Sequence, residues 1–363
     1  MIRSRAPVRI DFAGGWTDVA LFAESEVGSV VNASIQIYSF AMLTRKQTVL
    51  GVNSKNIDKG IRIYSADFDT FIEAEDIREL EYDGSIDLVK AAVRRMSVPS
   101  GGFDLISQSI APPGSGLGTS AAMGVALISA LARHQQNTYL PFEIAELASQ
   151  IERQELQILG GKQDHYASAI GGINYMEFRG EMVKTAQLKL TQDVQHELEK
   201  NLLLCYTGKS RLSGNIHQNV TESYQAEAPE TLDALSNLRS IAKQVKSALM
   251  NGDLTTFGEL LSENWKNQKR LHSSVTNDEI ESLFEVAMAN GAIGGKACGA
   301  GGGGSAPQGG GMIVHGTFGI GMPLQKDLHV TAEVGYIKFL NGEIESPTLG
   351  INLNYSFWEI EKK

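Results

Sequence analysis

Residues 110–131 read IAPPGSGLGTSAAMGVALISAL: a Gly- and Pro-rich loop, a Thr-Ser pair, then an apolar run without a break. The apolar run predicts a buried helix over about 119–134. Flexible residues ahead of such a helix let successive backbone N–H groups converge on one point. The first helical turn adds its own unpaired N–H groups and the positive end of its dipole. This is the make-up of an anion cradle, and phosphate is its usual occupant. In this reading Pro113, Gly114, Ser115, Gly116, Leu117 and Gly118 form the cradle. The hydroxyls of Thr119 and Ser120 can then reach a phosphate oxygen or a Mg2+ ion. No Lys precedes the hydroxyl pair, so the loop is not a Walker A loop. On its physics alone the stretch reads equally as a tight turn.

The rest of the chain narrows the classes. Its 363 residues suffice for two domains. The 32 basic and 42 acidic side chains leave a net charge of −10, which argues against a nucleic-acid partner. A small anion stays compatible, because local geometry rather than net charge holds it. The N-terminus MIRSRAPVRIDFAGG has no apolar h-region or cleavage pattern, and no apolar run reaches membrane-helix length. A cytoplasmic protein without a membrane partner is expected. Cys205 and Cys298 are the only cysteines and the seven His residues form no HxxH or HExxH pair, so free thiols and no zinc site are expected.

Alternation and β-branched residues predict strands within 6–50, 101–110, 171–190 and 201–208. Helical spacing appears at 85–96, 119–134, 142–158, 229–250, 254–271 and 277–290. Gly252 suits the left-handed residue ending one helix, and Asp253 the N-cap of the next. Strands and helices mix without a βαβ rhythm, so the fold class is α+β.

Three strings then point to one family. PPGSGLGTSAA closely resembles the second motif of the GHMP small-molecule kinases, which include galactokinase, mevalonate kinase and homoserine kinase. RAPVRIDFAGGWTD (5–18) resembles their first motif in its sugar-kinase form, and GGKACGAGGGG (294–304) their third, Gly-rich motif. IERQELQILGGKQDHYASAIGGINYMEF (151–178) and LLLCYTGKSRLS (202–213) are similar to the D-glycero-D-manno-heptose 7-phosphate kinases, whereas FAGGWTD is also close to bacterial fucokinases. The resemblance runs from residue 1 to about 304.

It implies a two-domain α+β fold, with a ribosomal protein S5 domain 2-like domain over 1–185 and a ferredoxin-like domain over 186–304. It also implies ATP and Mg2+, with a sugar or sugar phosphate phosphorylated at its anomeric hydroxyl; a homodimer is left open. Asp164 matches the catalytic aspartate, a general base on the sugar hydroxyl, and Arg9 the basic residue beside it. On the bare sequence Asp164 reads equally as a loop Asp after two glycines. Glu152 and Ser120 match the Mg2+ ligands. Glu152 shares a helix face with Ala145 and Ala148, and Glu155 competes for its role. Gly301 and Gly302 would complete the nucleotide site. For the substrate the match offers Asp18, with Thr17 as helper, Gly161, Tyr206, and the pair Lys209 and Arg211 for an anionic sugar. An inactive sensor on the same fold is the rival from another class.

From Ser305 the chain departs from the family. After SAPQGGG come three alternating segments, GTFGIGM, HVTAEVGYIKF and LGINLNYSFW, separated by turn residues. They predict a β-meander resembling the last strands of an outer-membrane barrel, though three strands cannot close one. The tail reads as a fused piece, as a divergent end whose MIVHG strand completes the preceding sheet, or as an added β-module.

Overall fold

The computed structural model describes residues 1–45, 60–96, 102–206 and 214–300, and beyond them the strand segments 310–315, 320–325, 328–338 and 345–355. It divides into two compact units, Met1–Val314 and His315–Lys363.

The first unit is built on a sheet of seven strands: β1 (Ile2–Ala13), β2 (Gly28–Arg45), β3 (Ile61–Ser65), β4 (Thr70–Ala74), β5 (Phe103–Ser109), β6 (Ile173–Arg179) and β7 (Met182–Gln187). Their order is β4-β3-β5-β2-β6-β7, with β1 paired to β2. Only the β3–β5 pair is parallel among these strands. The long β2 serves two neighbours in turn, β6 along Gly28–Ala33 and β5 along Ser39–Arg45. The division expected near residue 185 falls at β7, inside this unit.

Ten helices surround the strands among the described residues: α1 (Ala20–Ser25), α2 (Asp87–Arg95), α3 (Thr119–His134), α4 (Pro141–Gln150), α5 (Gln163–Ile170), α6 (Gln192–Asn201), α7 (Gly214–Gln225), α8 (Pro229–Asn251), α9 (Leu254–Arg270) and α10 (Asp278–Ala289). Helix α3 is the buried one that the opening stretch predicts. It is apolar on nearly every side, as a helix enclosed by other elements must be. Its small residues allow close approach: a Cβ on Gly124 would lie 3.4 Å from the Ala148 Cβ of α4.

One core runs from Val8, Ile10 and Phe12 of β1 through Val125, Leu127 and Leu131 of α3 to Val245, Leu249, Phe257 and Leu261 of α8 and α9. Phe12 meets Phe257 edge-on at 5.1 Å. The first sequence motif is therefore clamped by the helices that follow the second. At the α8–α9 junction Gly252 is left-handed at φ 70° and the Asp253 side chain accepts from the Thr256 N–H, as expected.

A second sheet joins β8 (Leu202–Tyr206), β9 (Ala292–Ala297) and β10 (Gly310–His315) in the order β8-β10-β9. Strand β10 contains MIVH and pairs antiparallel with β8, from Gly310 opposite Tyr206 to Val314 opposite Leu202. The start of the divergent tail thus completes this sheet. The second unit holds β11 (Ile320–Gln325), β12 (Leu328–Lys338) and β13 (Glu345–Tyr355), an antiparallel meander in that order.

Candidate active site

The loop ahead of α3 has the backbone its composition calls for. Gly114, Gly116 and Gly118 stand at φ 73°, 76° and 71°, alternating with other residues, a backbone that glycine adopts without cost. Gly118 is itself the N-cap of α3. The third motif packs on the loop's back: a Cβ on Gly116 would lie 2.6 Å from the Cys298 carbonyl oxygen. Gly116→Ala is expected to destabilise the chain by about 1–3 kcal/mol and to weaken nucleotide binding. Urea unfolding and ADP calorimetry check this; two unchanged values would show that the loop yields freely.

Arg9 ties this loop to Asp164. It is 3% exposed, and its Nε donates to Asp164 Oδ1 at 2.7 Å while Nη1 donates to the Gly116 carbonyl at 2.6 Å. Its backbone N–H donates to the Leu117 carbonyl at 3.0 Å. Burial works against the guanidinium charge, but Asp164 and Asp11 outweigh it and the pKa is raised. Asp164 lies in the first turn of α5, its side chain partly open to solvent. A Cβ on Gly118 would sit 3.0 Å from Asp164 Oδ2. The carboxylate therefore stands against the end of the anion cradle.

Glu152 lies in a single π turn, Ile151–Glu155, that continues α4 and closes with a Leu156 N–H to Ile151 carbonyl bond of 2.9 Å. Such turns insert one residue and re-aim the side chains after it. Glu152 is 8% exposed and its Oε1 has no hydrogen-bond partner. Burial raises its pKa, but the charge of His165 and the nearby polar groups of His165 and Ser120 bring the net shift below the ordinary value. Its competitor Glu155 faces away, accepting from the Tyr82 hydroxyl. An ionised, buried carboxylate with a bare oxygen, reached by a hydroxyl at the start of α3, fits a hard cation. No group of three or more His, Cys, Asp or Glu that could hold a metal occurs among the described residues.

The fold brings Asp18 and Gly161 together. The Gln163 N–H donates to Asp18 Oδ2 at 3.1 Å, and a Cβ on Gly161 would fall 1.8 Å from the same oxygen, so only glycine fits. Burial first, and the charge of Asp164 next, push the Asp18 pKa up to about 6. Ionising Asp18 costs more in the folded chain than in the unfolded one. Its contribution to stability is full below pH 3.8 and is lost as pH rises through about 6. Asp18→Asn is expected to be more stable than wild type above pH 6, by up to about 3 kcal/mol, and equal to it near pH 4. Urea unfolding at both pH values checks this, and equal stability at pH 7.5 would refute it.

Thr17, named beside Asp18, is fully buried; its Oγ1 donates to the Gly14 carbonyl at 2.7 Å and accepts from the Ser29 N–H at 2.9 Å, so it braces the turn. Tyr206 ends β8, where its backbone lies opposite Gly310. Lys209, Arg211, Gly301 and Gly302 lie outside the described residues.

The structure adds residues that sequence reasoning passed over. Trp16 takes φ 81° in the turn before Asp18 and stacks on His217 of α7 at 4.5 Å. Burial lowers the His217 pKa to about 4 against the pull of Asp164, so the ring is neutral. Lys162 is buried between Glu146 and Glu181 and anchors the turn that carries Gly161 and Asp164. Lys296, from the third motif, pairs with Asp11 of the first at 2.6 Å, both fully buried. None of these announces itself by spacing, because each partner comes from a distant part of the chain.

Comparison with known proteins agrees with this geometry. The family descriptions "GHMP kinases N terminal domain" and "GHMP kinases C terminal" match residues 87–172 and 245–306. A D-glycero-alpha-D-manno-heptose 7-phosphate kinase of Campylobacter jejuni is 33% identical over 84% of this chain and 87% of its own. A bifunctional fucokinase/GDP-fucose pyrophosphorylase of Arabidopsis thaliana is 29% identical over 82% of this chain but only 29% of its own length. Among solved structures, a D-glycero-D-manno-heptose 1-phosphate kinase from Bacteroides thetaiotaomicron superposes with TM-score 0.68 at 30% identity, covering 87% of this chain and 88% of its own. Three motifs folded onto one cradle, with an Arg-held aspartate at its end and relatives aligned along most of the chain, make this protein a member of the GHMP kinase family.

Proposed function

We propose that this protein is a cytoplasmic ATP- and Mg2+-dependent sugar kinase that phosphorylates the anomeric hydroxyl of D-glycero-D-manno-heptose 7-phosphate. One observation carries the reading: Asp164 Oδ2 stands beside Gly118, where the phosphate cradle becomes α3. A base at that place meets a sugar hydroxyl and a terminal phosphate together, which is what direct transfer needs. Asp164 takes the hydroxyl proton as the sugar oxygen bonds to the γ-phosphorus and the bond to ADP breaks. Arg9 fixes the carboxylate by its Nε and holds the loop by its Nη1. The N–H groups of the loop and of α3 bind the phosphates, and Asp18 accepts from a sugar hydroxyl. Glu152 and Ser120 would hold Mg2+, which when bound neutralises phosphate charge.

The heptose assignment rests on the relative from Campylobacter jejuni, which covers most of both chains. L-Fucose is the lesser reading, favoured by the FAGGWTD turn and the plant relative. The test is ADP release with Mg·ATP against heptose 7-phosphate, unphosphorylated heptose and fucose. Turnover confined to heptose 7-phosphate is the expected result. Turnover with fucose alone would move the assignment, and none from folded, ATP-binding protein would favour a sensor.

A further inference from the structure

His165 has no part in the transfer just described, yet it lies beside the cation site. It follows Asp164 in the first turn of α5 and is 2% exposed. Its Nε2 stands 2.7 Å from Glu152 Oε2, off the line of a good hydrogen bond, and its Nδ1 has no partner. A ring nitrogen this close to a carboxylate oxygen must carry the proton, since two bare lone pairs would repel. The imidazole is therefore committed to Glu152 and to nothing else among the described residues. Glu152 needs such a hold: the π turn gives it a backbone unlike the helix on either side.

We propose that His165 is a positioning residue of the cation site. Its ring fixes Oε2 of Glu152 and leaves Oε1, the oxygen without a partner, for the metal. The inference rests on Glu152 as a metal ligand. Groups that hold a ligand in this way contribute about 10- to 100-fold in metal affinity. A purely structural His165 would instead support the packing of α4 on α5, and its loss would lower stability without singling out the metal.

The test measures Mn2+ affinity by electron paramagnetic resonance, in the presence of ADP, for wild type, Glu152→Gln, His165→Phe and His165→Gln. Phe keeps the ring and removes the N–H; Gln restores an N–H donor. Thermal unfolding shows which variants are folded. The expected result is a loss of affinity in Glu152→Gln, a loss of about 10- to 100-fold in His165→Phe, and recovery to within about threefold in His165→Gln. The KM for sugar stays unchanged in both His165 variants. Wild-type Mn2+ affinity in His165→Phe beside a loss in Glu152→Gln overturns the proposal. So does an equal loss in both His165 variants, which would assign the effect to packing. Unchanged affinity in Glu152→Gln would overturn the metal-ligand reading itself.

Discussion

Asp164→Asn is expected to lower kcat by about 100- to 10,000-fold, with the protein folded and ADP still bound. The substitution changes little in shape. The asparagine oxygen can still accept from Arg9 Nε, and the N–H groups of α5 keep their geometry. What it removes is the ability to take a proton, and with it the charge that pairs with Arg9. Because the nucleotide is held by the loop and α3, its affinity stays near wild type while turnover collapses. A coupled assay of ADP formation with heptose 7-phosphate, beside an ADP titration, separates the two. A loss below tenfold would mean that Asp164 only orients the sugar. Parallel loss of ADP binding would place it in the nucleotide site instead.

Lys296→Met is expected to destabilise the chain by about 3–5 kcal/mol. Its ammonium lies 2.6 Å from Asp11 Oδ2 and 2.9 Å from the Asp11 carbonyl oxygen, with no exposed surface on either residue. Removing one charge leaves the other buried, and Asp11 Oδ1 already has no partner. Gly15 sits against the carboxylate: a Cβ there would be 2.3 Å from Oδ2. Replacing both residues, Asp11→Asn with Lys296→Met, removes both charges and is expected to recover most of the loss. Urea unfolding of the two single variants and the double variant measures this. Additive losses would show that the pair is not coupled. The pair also binds β1 to β9 two residues from Arg9, so the single variants should lose activity along with stability.

The parts of the fold legible in the sequence were those fixed by local pattern. The uninterrupted apolar run gave α3, and the Gly252–Asp253 pair gave the α8–α9 junction, because capping is decided within a few residues. Helix α5 was missed: QDHYASAI is short and mixes buried polar residues with apolar ones, so its face is set by what it packs against. Strands β3 and β4 and helices α6 and α7 were missed as well. In the site, Arg9, Asp18, Glu152 and Asp164 came from motif resemblance, and bare chemistry left each with a bland alternative. The structure separates Glu152 from Glu155 through the π turn, which no three- or four-residue spacing foretells. The bracing role of Thr17 was not legible, because a hydroxyl in a turn looks the same on paper whether it meets a ligand or its own backbone.

The pairing of β10 with β8 bears on what the second sheet asks of its strands. A sheet recognises a newcomer by its row of N–H and C=O groups, and those are the same in every sequence. The strand at the centre of the second sheet lies beyond residue 306, where the match to the C-terminal family description ends. The pairing thus asks of that strand length and direction more than a particular side-chain sequence. A change in sequence character and a boundary in the fold need not fall at the same residue: here the first comes near Ser305 and the second between Val314 and His315.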